Sequence, residues 1–372
     1  MKTILHIDNT LGVTGAYKAL FSFCKSYDKA RHILVMPKGS QVVPEVKEHF
    51  TVYELPFVEI GRAFSKMVRY IPALLLNGQA LSAIIAREKP DLIHVNDLYN
   101  LTPYFIKSKY RKTIPLLVHA RLLKRGFPSF IYDFWVRTHL KRANEVLAVS
   151  QAIRKDWGNH SKVEVVYNPI SIRENYPRYS FTDNGQGVFR FIYLANYMYE
   201  KGQHDCLKAI VELKKLTNRP FIVDFFGATF GLHRNEHCKQ HLKTLVKELG
   251  LMDCVTINDS VSDIEQKLKE YHCSLHFSHA ESFGMGCFES LFYGLPVIST
   301  HCGGPDEMIE DQYSGLMVSV LDIKAQASAM NLLMSDPELC LSISENAYKS
   351  IRQKFGGISN KLFQKFDKHL GI

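Results

Sequence analysis

The sequence predicts two doubly wound α/β domains, and three observations lead to that prediction. Short apolar runs alternate with helical stretches along almost the whole chain. These runs lack the polar alternation of half-exposed strands, as expected for strands covered on both faces in a parallel sheet. The alternation is interrupted once, by the polar residues 173–187, and then begins again. The chain has 372 residues, which is enough for two domains.

Strands are predicted wherever an apolar run is bounded by polar or turn-forming residues. In the first half the runs lie at residues 3–8, 32–37, 51–56, 91–96, 115–120, 145–150 and 163–168. In the second half they lie at residues 189–196, 221–227, 254–259, 273–279, 296–301 and 316–320. Helices are expected between them, for example at 206–216 and 240–249, and a basic amphipathic helix ends the chain.

The predicted domains span residues 1–175 and 188–355, with a linker near 170–188 and with the C-terminal helix, about 356–372, packed back on the first domain. Two such sheets side by side would face each other across a cleft. Ligands of open α/β sheets bind at the carboxyl ends of the strands. Helix N-termini at that edge favour anions.

Composition narrows the class of protein. The net charge is +9 and the pI is about 9.0, which favours anionic partners. The excess is local, since residues 62–142 hold 15 Lys or Arg against four acids. The eight cysteines form no CxxC pair, which predicts buried reduced thiols in a cytoplasmic protein. The N-terminus turns polar too early for a signal peptide, and the apolar stretch 70–86 is too interrupted to span a bilayer.

Two glutamates flank a glycine-bearing turn in residues 278–308. Glu281 falls between a predicted strand and helix, Phe283–Gly286 would form the first helical turn, and Glu289 follows within the helix. The N–H groups of such a turn can hold an anion, and Gly284 and Gly286 would let a ligand approach the backbone. The carboxylates would accept hydrogen bonds from hydroxyl groups on either side, as on a sugar and a ribose. A simpler interpretation remains open, in which Glu281 caps the helix and Glu289 is an exposed helix residue.

The motif ESFGMGCFE, followed by GLPVIST and GGPDE, resembles the donor site of the retaining GT-B glycosyltransferases, especially family 4. The resemblance implies two Rossmann-like domains facing across a cleft. The N-terminal domain would bind the acceptor, and the C-terminal domain would bind a nucleotide-sugar donor. In this family Glu281 would hold hydroxyls of the donor sugar, and the amides of Ser282, Phe283 and Gly284 would hold sugar and diphosphate. Glu289 would bind the nucleotide ribose.

Further positions follow from the same resemblance. Lys201, in EKGQHDCLKAI, would neutralise the diphosphate. Gly12 and Gly15, in NTLGVTGAYKAL, would lie beside the transferring sugar, and a helix beginning at Gly15 would favour an anion without any family argument. His119 resembles the histidine near the donor sugar, although a buried structural histidine is an equally reasonable interpretation of the residue by itself. The catalytic residues implied are Glu281, His119 and Lys201. Ser150 and Asn168 match two further family segments.

One position departs from the family pattern. An arginine usually precedes the lysine by five residues and contacts the same diphosphate, but here that position is Asn196. An amide can donate hydrogen bonds yet carries no charge. The sequence leaves three possibilities: slower turnover, replacement by another cation such as Arg234, or a protein that binds a donor and scarcely turns it over.

No cofactor and no metal are expected. His276 and His279 are three residues apart on a predicted strand, which places them on opposite faces and makes them poor joint ligands. The chain contains no Asp-x-Asp pair to hold a divalent ion on a sugar diphosphate. The donor, a UDP- or GDP-sugar, would be a substrate.

Residues 105–112 and 119–142 mix Lys and Arg with Phe, Tyr and Trp135. Such a surface suits anionic lipid headgroups. Nucleic acid is a weaker competitor. The third interpretation is that the aromatic residues belong to the core and the charges are simply solvated. We expect a protein in the cytoplasm, peripheral on the inner face of the membrane, with no nucleic-acid partner.

Taken together, these features predict a retaining, metal-independent hexosyltransferase. The acceptor would be a hydroxyl of a glycan or of a lipid-linked oligosaccharide, in surface polysaccharide or lipopolysaccharide synthesis. Another GT-B chemistry, epimerase or phosphorylase, remains an alternative, as does a catalytically weak nucleotide-sugar-binding protein.

Overall fold

A computed structural model describes residues 1–58, 64–125, 128–168 and 187–372, without the side chains of residues 64–69, 358 and 359. The chain divides into two compact units. The first comprises Met1–Ser171 and Gly357–Ile372, and the second comprises Ile172–Gly356. Of the linker predicted at 170–188, residues 170–186 lie outside the described residues.

The first unit is built on a seven-stranded sheet of order β3-β2-β1-β4-β5-β6-β7. All of its strand pairs are parallel. The strands are β1 (Lys2–Ile7), β2 (Ala30–Pro37), β3 (Thr51–Leu55), β4 (Leu92–Val95), β5 (Leu116–Ala120), β6 (Glu145–Ala148) and β7 (Val163–Val165). Most of their residues are buried, as parallel strands covered by helices on both faces require.

The second unit has a six-stranded sheet of order β10-β9-β8-β11-β12-β13, which is also parallel throughout. The strands are β8 (Phe189–Leu194), β9 (Phe221–Phe226), β10 (Val255–Asn258), β11 (Cys273–His276), β12 (Val297–Thr300) and β13 (Leu316–Val318). Every strand predicted from the sequence is present, which confirms the two doubly wound sheets.

Helices connect the strands of each sheet. In the first unit they are α1 (Gly15–Ser26), α2 (Val43–Lys47), α3 (Phe64–Glu88), α4 (Ser108–Thr113), α5 (Ser129–Arg142), α6 (Gln151–Asp156) and the C-terminal α13 (Ile358–Leu370). In the second unit they are α7 (Gln203–Leu216), α8 (His233–Glu248), α9 (Ile264–Leu268), α10 (Met285–Phe292), α11 (Ile323–Ser335) and α12 (Pro337–Phe355).

Helix starts differ from the predictions more than strand positions do. The helix predicted at 240–249 begins seven residues earlier, at His233, because its first turns are polar and show no apolar period. Each unit has its own apolar core. Helix α13 belongs to the core of the first unit, where Leu362, Phe366 and Leu370 are buried.

The apolar stretch 70–86 lies inside the single helix α3, which contains Pro72. Two of the residues that interrupt this apolar stretch make packing contacts. Asn77 is buried and donates to the Pro56 carbonyl at 3.3 Å, and a Cβ on Gly78 would lie 2.6 Å from the Phe105 carbonyl oxygen. Among the described residues, no helix combines the length and the apolar character needed to cross a bilayer. All eight cysteines are free and buried, as predicted.

Candidate functional site

The two predicted donor loops of the second unit are joined at the carboxyl ends of β11 and β12. The Glu281 N–H donates to the Cys302 carbonyl at 2.8 Å, and the Gly304 N–H donates to the Glu281 carbonyl at 2.7 Å. These bonds form an isolated parallel bridge between Glu281 and Gly303. The backbone of Glu281 is therefore held from both sides, while its side chain is left for other contacts.

The helix after this turn begins later than predicted. Gly284 has a φ of +94° and is the residue that precedes α10, so the first helical residue is Met285 rather than Phe283. The residue at the cap position is Gly284, and the Glu281 side chain instead contacts Lys201, Ser278 and His276, which argues against Glu281 as a helix cap. The N–H groups of the first turn of a helix have no partner within the helix.

Gly286 has a packing role that the sequence did not indicate. A Cβ at this position would lie 2.7 Å from the Leu194 carbonyl oxygen at the end of β8. Its missing side chain therefore serves the packing of α10 on the sheet, and the approach of a ligand to its backbone stays a prediction. Phe283 is buried, and its ring stacks on that of Phe288 with a centroid distance of 5.6 Å. Its backbone, and not its ring, is therefore the part that a ligand could contact. Glu289 is half-buried on α10.

Lys201 meets Glu281 although 80 positions separate them. The lysine ends a 3₁₀ turn (Tyr199–Lys201), and Gly202 follows with a φ of +71°. A Cβ on Gly202 would lie 1.9 Å from the Phe277 carbonyl oxygen, so only glycine lets this turn approach the end of β11 so closely. The Lys201 Nζ then lies 2.5 Å from the Glu281 Oε2.

Two more side chains face the same carboxylate oxygen. The Ser278 hydroxyl donates to Glu281 Oε2 at 3.4 Å, and the His276 Nε2 lies 3.6 Å away from it. His276 is buried, and this nitrogen has no hydrogen-bond partner among the described residues. The sequence analysis considered His276 only as a metal ligand, and its contact with Glu281 was missed.

Opposing effects set the pKa of Glu281. Burial raises it, but Lys201 and His276 outweigh burial and lower the pKa from 4.5 to about 2. The side chains of Lys201 and Glu281 are 22% and 14% exposed, so the pair is largely shielded from water but still accessible to a ligand. An ionised carboxylate beside a fixed cation can accept hydrogen bonds from hydroxyl groups and keep the cation oriented.

Asn196, at the position of the family arginine, accepts two hydrogen bonds. The Asn196 Oδ1 accepts a hydrogen bond from the Ala228 N–H at 3.4 Å, and its carbonyl accepts one from Gln203 Nε2 at 3.0 Å. Arg234, the candidate replacement, lies in the first turn of α8 and pairs with Glu200, the residue before Lys201. Arg234 is therefore held by the residue that precedes Lys201 in the chain.

Asp306, in the predicted Gly-Gly loop, has a structural role. One carboxylate oxygen pairs with His301 Nδ1 at 2.7 Å, and the other accepts the Gly303 N–H at 2.7 Å. His279 pairs with Asp205 at 2.6 Å. Asp306 and Asp205 are thus each paired with a histidine, whereas the Glu281 carboxylate is paired with Lys201.

The glycine-rich loop of the first unit follows β1. As predicted, α1 begins at Gly15, and the Thr14 hydroxyl caps it by accepting the Tyr17 N–H at 3.2 Å. The Asp8 carboxylate accepts the Thr10 N–H at 2.6 Å. Neither Gly12 nor Gly15 has a positive φ, so backbone conformation does not demand glycine at either position.

His119 lies on β5 and is 2% exposed. Its Nδ1 is 2.7 Å from the His94 Nε2. Burial, Arg121 and His6 all lower the pKa of His119 well below its ordinary value, so the ring is neutral. The sequence analysis had not singled out Arg121. Its Nε donates to the Asn96 Oδ1 at 2.9 Å, and its Nη1 donates to Asn168.

The basic region of the first unit divides into core and surface. Trp135 is 2% exposed, so for this residue the interpretation that the aromatic side chains belong to the core is confirmed. Phe130 and Phe134 are 69% and 57% exposed, and Arg137 and Lys141 continue their face of α5 toward solvent. Ser150 caps α6 by accepting the Ile153 N–H at 3.2 Å.

Two family models match the chain. The model described as glycosyl transferases group 1 matches residues 182–350, and the model described as glycosyltransferase family 4 matches residues 21–174. Among curated proteins, the chain is similar to N-acetyl-alpha-D-glucosaminyl L-malate synthase of Bacillus anthracis. The two are 22% identical over 303 residues, which cover 77% of this chain and 76% of the relative.

Solved structures agree in fold over the full length. Anabaena Alr3699/HepE, in complex with UDP and glucose, superposes with a TM-score of 0.79 at 18% identity and full coverage of both chains. The lipopolysaccharide outer core galactosyltransferase WaaB, in apo form, superposes with a TM-score of 0.70 at 18% identity, over 100% of this chain and 99% of WaaB. With one family model on each half and this shared fold, the chain belongs to the GT-B glycosyltransferases of family 4.

Proposed function

We propose that the protein is a retaining hexosyltransferase that moves a sugar from a nucleotide diphosphate donor to a hydroxyl of a glycan or lipid-linked oligosaccharide. The observation that carries the proposal is the Lys201–Glu281 pair beside the turn before α10. The family membership supplies the reaction class, and the pair supplies a place where a sugar diphosphate fits chemically.

Each member of the pair has its own task. Lys201 supplies positive charge to the diphosphate as it leaves, when negative charge on the phosphate oxygens increases. Glu281, ionised at every physiological pH, accepts hydrogen bonds from sugar hydroxyls and holds the ammonium group in place. The amides of Ser282, Phe283 and Gly284 contribute backbone donors, and Glu289 on the helix α10 that follows binds the ribose.

Retention of configuration follows from a front-face reaction. The bond between the anomeric carbon and the phosphate oxygen breaks, and the acceptor oxygen forms its bond on the same face of the sugar. The departing phosphate oxygen takes the acceptor proton, so no protein nucleophile is required. The protein accelerates this step by orienting both substrates and stabilising the leaving charge. Lys201 carries the charge role that a divalent ion has in other transferases, so we propose that no metal is needed.

The donor and the acceptor are proposed from related proteins. Anabaena Alr3699/HepE has been solved with UDP and with UDP-glucose, which supports a UDP-sugar, and a GDP-sugar is the alternative. WaaB is a lipopolysaccharide outer core galactosyltransferase, which supports a surface-glycan acceptor.

A binding experiment tests the donor site first. The melting temperature of the purified protein should rise with one nucleoside diphosphate among UDP, GDP and ADP, and rise further with its sugar. The matching nucleotide sugar should then be hydrolysed or transferred with retained anomeric configuration, with equal rates in EDTA. If no nucleotide changes the melting temperature and no donor is consumed, the proposal fails. Free epimer formed without an acceptor would indicate an epimerase instead.

We also propose that the exposed face of α5 binds an anionic membrane surface. Phe130 and Phe134 can enter the interface, while Arg137 and Lys141 on the same face contact lipid phosphates. This placement would bring the enzyme to a lipid-linked acceptor in the cytoplasmic leaflet.

Vesicle sedimentation tests this surface. Replacing Arg137 and Lys141 with glutamate should lower binding to vesicles containing phosphatidylglycerol by at least about thirtyfold, since each basic residue contributes about 1 kcal/mol. The matched control replaces Lys243 and Lys247, two exposed lysines of α8 in the second unit, with glutamate. If both variants lose vesicle binding equally, the loss reflects the net charge of the protein, and the face of α5 is not a specific membrane-binding surface.

A further inference from the structure

Four buried histidines form a continuous hydrogen-bonded row across the first sheet. The His32 Nδ1 lies 2.9 Å from the His6 Nε2, and the His6 Nδ1 lies 2.9 Å from the His94 Nδ1. The His94 Nε2 lies 2.7 Å from the His119 Nδ1. At the far end, the His32 Nε2 lies 2.7 Å from the carbonyl oxygen of Tyr27. We call these residues the histidine row.

The order of the strands creates this row. The four residues lie on β2, β1, β4 and β5, which are consecutive neighbours in the sheet. His6 and His94 are direct partners in the parallel register of β1 and β4. Phe366 of α13 packs against both rings, with centroid distances of 6.3 Å to His6 and 5.3 Å to His94. The row is therefore covered by the C-terminal helix and shielded from water.

All four imidazoles are neutral. Burial is the largest cause of a lowered pKa at each position, and neighbouring histidines lower the pKa of His6 and His94 further. A neutral imidazole has one N–H donor and one bare nitrogen acceptor. Two facing ring nitrogens can therefore form a hydrogen bond only when one of them carries the proton and the other does not.

A single backbone group fixes the direction of every bond in the row. The Tyr27 carbonyl can only accept, so His32 carries its proton on Nε2 and has a bare Nδ1. His6 must then donate from Nε2, which leaves its Nδ1 bare, and His94 must donate from Nδ1. The bare Nε2 of His94 in turn requires a proton on the Nδ1 of His119.

We propose that the histidine row fixes His119 as the Nδ1-protonated tautomer, which leaves its Nε2 as a permanent acceptor for a hydroxyl group of the sugar substrate. His32, His6 and His94 are then positioning residues for His119. This inference rests on the proposed transferase function for its ligand, a sugar hydroxyl, but not for the tautomers themselves.

The open end of the row fits this role. No described residue hydrogen-bonds the His119 Nε2, and this nitrogen is not among the solvent-excluded side-chain atoms that lack a partner. It is therefore the end of the row that a ligand can reach. A fixed acceptor favours a ligand hydroxyl over an ether or carbonyl oxygen, because the latter two cannot donate a hydrogen bond.

Two other roles fit less well. A proton wire needs a group at each end that can take up or release a proton, but the row ends on an amide carbonyl, which does neither near neutral pH. A metal site at His6, Cys24 and His32 has ligand atoms within 4.8 Å of one another. However, burial raises the pKa of the Cys24 thiol well above its ordinary value, which works against the thiolate that a metal prefers. Both ring nitrogens of His6 and His32 already take part in hydrogen bonds.

The wild-type protein provides the direct test. Long-range proton–nitrogen correlation spectra of histidine-labelled protein at pH 7 should give Nδ1–H for His94 and His119, and Nε2–H for His6 and His32. Nitrogen assignments come from single His→Phe variants. A proton on His119 Nε2, or a charged ring, would overturn the proposal. So would a rise in melting temperature with Zn²⁺ that is absent in Cys24→Ser.

A matched pair of variants tests the coupling. His94→Phe should convert His119 to a mixture of tautomers and raise the KM for donor by about tenfold, the effect of one weakened hydrogen bond. The control is His139→Phe. His139 is buried in the same unit and contacts Tyr104 and the Leu98 carbonyl, outside the row. It should change stability but not the His119 tautomer.

The outcomes separate this inference from the proposed function. If His94→Phe leaves both the His119 tautomer and the KM unchanged in a folded protein, the row has no positioning role. If the wild-type tautomers are as predicted but no donor is consumed, the proposed function fails while the fixed tautomer remains.

Discussion

The two units bury polar groups in different settings, within the strands of the first sheet and in a loop after β11 of the second, and offset the cost of burial in opposite ways. In the second unit, Glu281 stays ionised because Lys201 and His276 face it. In the first unit, the rings of the histidine row stay neutral, and each ring is joined to the next by an N–H···N hydrogen bond. Opposite charges offset desolvation in one case, and alternating donors and acceptors do so in the other.

This difference indicates what each site can bind. A paired cation and carboxylate suit a ligand whose charge changes during the reaction, such as a diphosphate with a neighbouring sugar. A fixed neutral acceptor suits a hydroxyl group whose charge does not change. Variants that change one of the two sites at a time test this difference.

The largest expected effect is in the charged site. Glu281→Ala should reduce transfer by about a thousandfold, because it removes the hydroxyl acceptor and releases Lys201 from its fixed position. The measurement is initial rate with saturating acceptor. Glu270→Ala, which removes a surface partner of Lys267, should have a normal rate. Normal turnover in folded Glu281→Ala would remove this residue from the site.

Lys201→Ala should weaken binding of the nucleoside diphosphate by about a hundredfold and of the nucleoside little, because the ammonium group contacts phosphate. Calorimetry with both ligands measures the two losses. Lys208→Ala, which removes a partner of Asp205 on the exposed side of α7, is the matched control. Equal losses for nucleotide and nucleoside would contradict the phosphate role of Lys201.

Acid should separate the two kinds of site. The pKa of Glu281 is lowered from 4.5 to about 2, so its contribution to stability is complete above pH 4.5 and is lost as the pH falls through about 2. The stability difference between wild type and Glu281→Gln should therefore shrink by about 2 kcal/mol between pH 6 and pH 3. Denaturant titrations at several pH values measure it, and a constant difference would contradict an ionised, paired Glu281.

The histidine row has its own acid range. Its lowered pKa values mean that stability is complete above about pH 6.5 and declines as the pH falls below that value. On acidification the first unit should lose amide protection at a higher pH than the second. Hydrogen exchange of peptides from each unit, corrected for intrinsic rates, tests this order. Simultaneous loss in both units would indicate that the row is not an acid-sensitive element.

The smallest effects concern two glycines. Gly15→Ala should stabilise the protein by about 0.5–1 kcal/mol, since Gly15 begins α1 without a positive φ, and should weaken donor binding if a ligand approaches there. Gly202→Ala should destabilise the protein, because its Cβ would meet the Phe277 carbonyl. Unchanged donor affinity in Gly15→Ala would remove the first loop from the donor site.

Much of the candidate site could be predicted because its parts are local. The Glu281–Glu289 spacing, the glycine turn and the helix at Gly15 are all set by residues close in sequence. The pattern failed where environment decides. Trp135 shares a segment with exposed Phe134, yet it is buried, and the missing side chain of Gly286 lets α10 pack closely on the sheet.

The sequence contains a signal for the histidine row that did not enter the predictions. His6, His32, His94 and His119 each interrupt an apolar strand, and a polar residue in a fully buried strand requires a partner. Each strand was predicted correctly, but the strand order was not part of the prediction. Without the order β2-β1-β4-β5, nothing in the sequence indicates that the four rings touch.

The strands and helices of this protein follow from local sequence patterns. Strand and helix periods, turn glycines and burial patterns act over a few residues, so they can be read along the chain. Only the tertiary structure decided which side chains meet. Lys201 reaches Glu281, and His119 reaches the Tyr27 carbonyl through three other rings, because parallel sheets bring distant segments into register. The charge of one site and the tautomer of the other depend on those non-local contacts.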